Sequence, residues 1–374
     1  MKILMLIDRM ESGGAETHVE TLAYELKRRG HEVELISSGG AIADRMERRG
    51  VKQYRFSAVG NAVQNFVFAR RMLKKLVLSE RYDIVHAHTR GTALMVRGIA
   101  GFGRETASVV TVHAAFEWKL FLEKICYWGE KTIAVSEDLR VRSVDYFDVP
   151  PEAITVVPNG VDCQIFSRGK QYAADGTVLF ASRLDSDCSL GAELLIRIAP
   201  ALKREFPCLK IRIAGGGSEL KRLQELAEKV NTVCKNGGNG AVVFMLGQVE
   251  NMVEEYQKNR IFVGVSRAAL EASACGCAVI LCGNEGRGGI LSPDLHSQAV
   301  GNFCCRGERL PDDEWLLRWL RYLLRDPSRT ERMARNASTW VRETYNAERM
   351  AEQTEAVYRK LVQEKGKGTG FETV

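Results

Sequence analysis

Short apolar runs alternate along the whole chain with longer stretches whose apolar residues recur every three or four positions. In the first half, KILMLI, EVELIS, DIVHAH, SVVTVHA and KTIAVS read as strands, and Glu16–Arg29 and Phe66–Glu80 between them carry helical periodicity. The rhythm then restarts. GTVLFASR, LKIRIAGGG, VVFMLG, RIFVGVS and AVILCG read as strands, and GAELLIRIAPALKREF and SELKRLQELAEKVN as helices. Repeated strand–helix alternation predicts parallel sheets covered by helices. Two such series predict an α/β chain of two doubly wound, Rossmann-like domains, residues 1–165 and 176–343. The aperiodic stretch from Cys163 to Gly176 separates them. Residues 344–363 are expected to form a C-terminal helix that could cross back to the first domain, and 364–374 a disordered tail.

Sheets of this kind bind ligands beyond the carboxyl ends of their strands. The residues that fall there are Ser12 to Ala15, His86 and His88, His113, Ser136, Arg183, and Gly215 to Gly217. Gly13 and Gly14 sit where the first strand gives way to a helix. Glycines permit close backbone approach, and a helix's first turn offers free N–H groups, so the junction can receive a phosphate or a substrate. A plain tight turn is the alternative. No Gly-Lys-Ser/Thr follows, and the full Gly-x-Gly-x-x-Gly fingerprint is absent.

Composition narrows the class. The 374 residues exceed one ordinary core, and 45% hydrophobic with 27% charged residues is usual for a soluble globular protein. The net charge of +6 does not call for nucleic acid, but Arg45 to Arg142 holds 18 basic against 9 acidic residues, which suggests an anionic partner or surface. Within it, Ala69, Met72, Leu73, Leu76 and Val77 share a helix face flanked by Arg70, Arg71, Lys74 and Lys75. That pattern fits a helix lying on anionic lipid headgroups, or a core-packed helix with a solvated basic flank. Phe116, Trp118, Phe121 and Trp128 allow the same two readings. The ten cysteines lack zinc spacing, there is no secretory signal, and no apolar run is long enough to span a membrane. These features point to the cytoplasm, with peripheral attachment to the inner face of the membrane if the basic helix is interfacial. Six histidines and no Asp-x-Asp in the second half give no expectation of a metal or a cofactor.

Five phrases carry a resemblance: GGAETHV, TIAVSEDLR, VPNGVD, ASRLD and LEASACGCAVI. In this order they resemble the retaining glycosyltransferases of the GT-B fold, family 4 above all, over roughly Met1 to Leu361. The resemblance implies two Rossmann-like domains facing a cleft. It implies transfer of a sugar, of hexosyl type, from a nucleotide-diphosphate sugar to a hydroxyl on a glycan or lipid-linked acceptor, as in polysaccharide synthesis, without a metal. It places Gly13 and Gly14 at the cleft, His113 against the transferred sugar, and His88 beside it. It gives Glu271 the ribose hydroxyls, which an ionised carboxylate can accept from as a pair. Arg183 would grip phosphate oxygens, and Gly215, Gly216, Gln248 and Val249 would border the nucleotide.

Two departures stand out. The family's first glutamate falls on Val263, and its lysine after the strand-end arginine falls on Cys188 or Ser189, in a loop that carries Asp185 and Asp187 instead. A leaving diphosphate needs a counter-charge. Ser266 and Arg267 align where the family's backbone meets the phosphates, so Arg267 is expected to replace the lysine, in a helix starting near Leu270; a pairing of Arg267 with a carboxylate such as Glu285 competes. The rival readings of the whole chain are an inactive subunit that binds a nucleotide or a partner transferase, and a nucleotide-sugar epimerase or hydrolase.

Overall fold

The computed structural model describes residues 1–374 except Ser12, 57–61, 99–105, 116–125, 170–175, 295–300 and 369–374. The chain forms two compact units. Met1–Gly160 with Ala347–Val374 make the first, and Val161–Asn346 the second.

The first unit contains β1 (Lys2–Leu6), α1 (Gly14–Arg28), β2 (Glu32–Ser37), α2 (Ala41–Arg48), β3 (Lys52–Arg55), α3 (Ala62–Glu80), β4 (Ile84–Ala87), α4 (Arg90–Val96), β5 (Ala107–Val112), β6 (Lys131–Ala134), α5 (Glu137–Phe147) and β7 (Ile154–Val156). Its strands run parallel in the order β3-β2-β1-β4-β5-β6-β7, with Ile3 opposite Val33 on one side and Ile84 on the other. Both faces of β1 are apolar because both are covered. Ile3 and Met5 enter the core under α1 and α2, while Leu4 and Leu6 enter the core that holds Ala69, Leu73 and Val77 of α3.

The second unit contains β8 (Thr177–Ala181), α6 (Leu190–Glu205), β9 (Lys210–Ala214), α7 (Leu220–Asn236), β10 (Val243–Gly247), α8 (Met252–Lys258), β11 (Ile261–Gly264), α9 (Ser266–Ala274), β12 (Ala278–Gly283), β13 (Gly286–Ile290), α10 (Asp313–Leu324) and α11 (Pro327–Thr344). The strand order is β10-β9-β8-β11-β12-β13, and β13 pairs antiparallel with β12. Val178 and Phe180 fill one core, Leu179 and Ala181 the other.

The chain leaves the first unit at Gly160 and returns at Ala347. Helix α12 (Ala347–Gly368) then lays Met350, Ala351, Tyr358 and Leu361 into the core under β1. The helix extends past residue 363, so the expected disordered tail is helical to Gly368. Glu355 on α12 meets Arg29 at 2.5 Å and His31 at 3.1 Å. Burial alone would raise the Glu355 carboxyl, but the bonds from Arg29 and Arg359 outweigh it and hold it at about 2.

Candidate functional site

In each sheet the winding reverses once, between β1 and β4 in the first unit and between β8 and β11 in the second. A crevice at the carboxyl ends of the flanking strands follows from that reversal. The expected site residues lie at these two edges.

In the second unit, Arg183 follows β8, Gly215 to Gly217 follow β9, Gln248 and Val249 follow β10, and α9 follows β11. Arg183 is half exposed and is paired with Asp185 at 3.2 Å and Asp187 at 3.5 Å. The Ser218 amide and hydroxyl donate to Asp185 and hold its carboxyl below the usual range. Cys188 touches Arg183 through its sulfur, and burial pushes its thiol up to about 11. Neither Cys188 nor the buried Ser189 supplies a cation. The glycines divide by role. Gly215 has φ +140° and its Cβ would overlap the Ser182 carbonyl, so it serves the packing of two loops. Gly216 accepts from the Leu184 amide at 2.8 Å and faces open space on its Cβ side. Gln248 is exposed, and Val249 packs against the core that holds Glu271's neighbours Leu270 and Ala272.

Helix α9 begins at Ser266, not near Leu270, and Glu271 therefore sits in its second turn. Ser266 has φ +56° and its amide donates to the Phe303 carbonyl at 3.1 Å, while its hydroxyl accepts from Asn302 at 3.3 Å. Arg267 is buried rather than poised at an open phosphate position. Its Nε donates to Glu271 Oε1 at 2.8 Å, one helical turn away, and Glu285 is instead paired with Arg306. Tyr256 donates to the other Glu271 oxygen at 3.3 Å. Burial raises the Glu271 carboxyl, and Arg267 works against that shift. Val263 is a fully buried residue of β11, between Phe180 and Ile280. Only Val265 separates β11 from α9, so the segment that would carry a first glutamate at the edge is absent.

In the first unit the edge gathers histidines. Gly13 caps α1 in extended conformation, and its carbonyl accepts from the Thr17 amide and hydroxyl. The Glu16 carboxylate lies against Gly13, so this helix start already has an acidic group, while Gly14 has open space at its Cβ position. His88 and His113, which follow their strands, meet at 3.2 Å between Nδ1 and Nε2. Sequence position did not indicate His18, which joins them from α1. It lies 4.7 Å from His113 between ring centroids, and its Nδ1 is 2.9 Å from Asn159 Oδ1. His86 is 4.0 Å from His88 between ring centroids and is held by Tyr358 at 2.6 Å and Thr111 at 2.7 Å. Burial and the neighbouring His18 hold His86 down to about 3. Burial first, and the other imidazoles second, hold His88 and His113 well below the usual range, so His86, His88 and His113 are neutral at pH 7. The clue to His18 was in the phrases themselves, because His18 belongs to GGAETHV and Asn159 to VPNGVD.

The apolar face of α3 is in the core: Ala69, Leu73 and Val77 are buried, with Met72 and Leu76 packed beside them. Arg70 donates to the carbonyls of Leu94, Met95 and Arg97 at the end of α4. The outward face carries Val67, Phe68 and Leu78 with Arg71, Lys74 and Lys75. Phe116, Trp118 and Phe121 lie outside the described residues, and Trp128 packs 5.2 Å from Phe147 between centroids. All ten cysteines are unpaired. Among the described residues no helix is long and apolar enough to cross a membrane.

Comparison with known proteins bears on these edges. Residues 12–165 match the family described as Glycosyltransferase Family 4, and residues 165–340 the family described as Glycosyl transferases group 1. The chain is 25% identical to the human phosphatidylinositol N-acetylglucosaminyltransferase catalogued under that name, over 72% of its own length and 58% of that protein. It is 28% identical to a phosphatidyl-myo-inositol mannosyltransferase of Mycolicibacterium smegmatis, over 64% of this chain and 62% of the other. It thus spans less than two thirds of either relative. Among solved structures, Anabaena HepE in complex with UDP superposes with a TM-score of 0.74 at 17% identity, over 96% of this chain and 100% of that one.

Proposed function

Because the chain belongs to the GT-B glycosyltransferases, we propose that it moves a hexosyl group from a nucleotide-diphosphate sugar to a hydroxyl of a lipid-linked or glycan acceptor, with retention at the anomeric carbon. The observation that carries this reading is the convergence of Arg183, Gly216, Ser266 and Glu271 on the carboxyl edge of the second sheet, around its reversal. The donor takes that edge. Glu271 accepts from the ribose hydroxyls, positioned by Arg267 and Tyr256. Arg183 exchanges its two aspartate contacts for diphosphate oxygens, which its planar fork fits, and needs no metal there. The UDP bound by HepE supports a nucleotide in this fold.

The acceptor takes the first unit, where His113 and His88 offer neutral imidazoles to a hydroxyl. The two phosphatidylinositol-modifying relatives favour a lipid-borne hydroxyl. Phe68 and Leu78 among Arg71, Lys74 and Lys75 would hold the protein at an anionic surface carrying it, on the cytoplasmic side.

A second reading has one observation in its favour. Both expected cations are already paired with carboxylates, and no lysine follows Arg183 in its loop. That suits a subunit that binds nucleotide without turning over a donor.

Calorimetric titration with nucleoside diphosphates, followed by assays of donor hydrolysis and transfer, separates the readings. Specific binding that Glu271→Ala weakens by about 1.5–3 kcal/mol supports the donor site, since that is the range for a charge-assisted hydrogen bond. Unchanged affinity removes Glu271 from it. Binding with no turnover of any donor selects the second reading.

A further inference from the structure

Four of the six histidines crowd one edge of the first sheet, more than one acceptor hydroxyl needs. His86 is satisfied by two hydroxyls and forms the floor. The other three differ. One ring nitrogen from each of His18, His88 and His113 lies within 4.8 Å of the other two. We propose that His18, His88 and His113 form a site for one divalent transition-metal ion of the zinc class.

The geometry is that of a ligand set. Two nitrogens bound at roughly 2.0–2.1 Å to one tetrahedral zinc lie about 3.3 Å apart. His88 Nδ1 and His113 Nε2 are 3.2 Å apart. The ring centroids stand 4.7, 5.4 and 5.8 Å from one another, which leaves room for an ion between them. His18 has the further contact that metal-bound histidines carry. With Asn159 Oδ1 accepting at 2.9 Å, its Nδ1 holds the proton and its Nε2 keeps the lone pair. Asn159 thus fixes the ligating tautomer. His88 Nε2 is buried and has no hydrogen-bond partner among the described residues. However the single proton between His88 and His113 is placed, a network of hydrogen bonds does not satisfy both rings of that pair. His88 and His113 are in the neutral form that binds metal, so loading at pH 7 displaces no ionising proton from them. Imidazole donors select zinc, copper, nickel or cobalt over magnesium or calcium. Three protein ligands leave a fourth position open, the pattern of sites that hold a water or a substrate oxygen. His113 is the most exposed of the three, so that position opens on its side.

The site stands apart from the donor reading, because metal loading is measured without turnover. The full chain, stripped with a chelator, is dialysed against zinc and separately against cobalt(II), and bound metal is counted by plasma mass spectrometry. The expected result is about one ion per chain, and a visible cobalt spectrum of tetrahedral nitrogen–oxygen type without a thiolate-to-cobalt charge-transfer band. Such a band would assign the metal to the ten cysteines and overturn the proposal. His18→Gln, His88→Gln and His113→Gln are expected to lose stoichiometric binding. Asn159→Ala is expected to weaken it about 10–100-fold, as loss of an orienting partner does. His31→Gln, away from the cluster, should bind like the parent chain. Binding below about a tenth of an ion per chain in the parent, or equal binding in the three variants, would reject the site. The parent chain's cobalt spectrum decides the matter even if a buried variant fails to fold.

Discussion

At the carboxyl edge of the first sheet the polar groups are imidazoles, held by hydroxyls and an amide. At the same edge of the second sheet they are charges: Arg183 with two aspartates, and Arg267 with Glu271. The strand orders reverse at the same place in both. The winding therefore decides where a site forms and leaves open which chemistry occupies it. A neutral edge suits a hydroxyl, and a charged edge with exchangeable aspartates suits a diphosphate. The two edges also respond to acid with opposite signs.

The largest test breaks the charged edge. Arg267→Ala leaves Glu271 buried without its cation, and breaking a buried pair from one side costs roughly 3–5 kcal/mol. Urea denaturation should show that loss, with a further rise of the Glu271 carboxyl. The double variant Arg267→Met with Glu271→Leu should recover most of it. Equal loss in the single and double variants would mean that Arg267 acts through its other contacts.

Acid sharpens the contrast. His86 has a folded value held down to about 3 against an ordinary ~6.5, so its contribution is present above pH ~6.5 and is lost as pH falls toward 3. Glu271 is raised by burial, so its cost to the second unit appears as pH rises through the carboxylate range and is relieved in acid. Between about pH 6.5 and 4 the first unit should lose protection in segment-resolved hydrogen exchange while the second holds. His86→Phe should remove on the order of 2–3 kcal/mol of that pH dependence. Parallel loss in both units would refute the difference in sign.

The smallest effect concerns the outer face of α3. Each of Arg71, Lys74 and Lys75 is expected to contribute about 1 kcal/mol to binding of anionic vesicles. Arg71→Ala should lower co-sedimentation at low salt, and Arg70→Ala should change it less, because Arg70 is occupied at the end of α4. Equal binding to neutral vesicles would end the proposal.

The alternation of apolar runs was enough to read two doubly wound units, because strands covered on both faces cannot hide their composition. Short, half-exposed elements escaped it: β3 is KQYR and β13 is GRGGI, and neither has the apolar content of a buried strand. Among site residues, strand-end positions were legible because topology puts strand ends at one edge. Arg267 was misjudged because spacing along a helix shows that positions 267 and 271 are neighbours but not that both are buried. Val263 was taken for a replaced glutamate because counting back from Glu271 assumes a loop, and the connection is one residue long. The histidine cluster needed three dimensions: His18, His86, His88 and His113 come from a helix and two strand ends, and no linear spacing predicts their meeting.

Helix α12 sets an order of events during synthesis. The second unit is one uninterrupted stretch, Val161–Asn346, whereas the first lacks Met350, Tyr358 and Leu361 of its core until α12 has been made. A ribosome therefore releases the later-coded unit in complete form before the earlier-coded one can close. Until then His86 has no Tyr358 to bond, and the apolar face under β1 is uncovered. A nascent chain cut short after residue 346 would carry a finished nucleotide half beside an unfinished acceptor half, which is the form that chaperones and proteases would meet first.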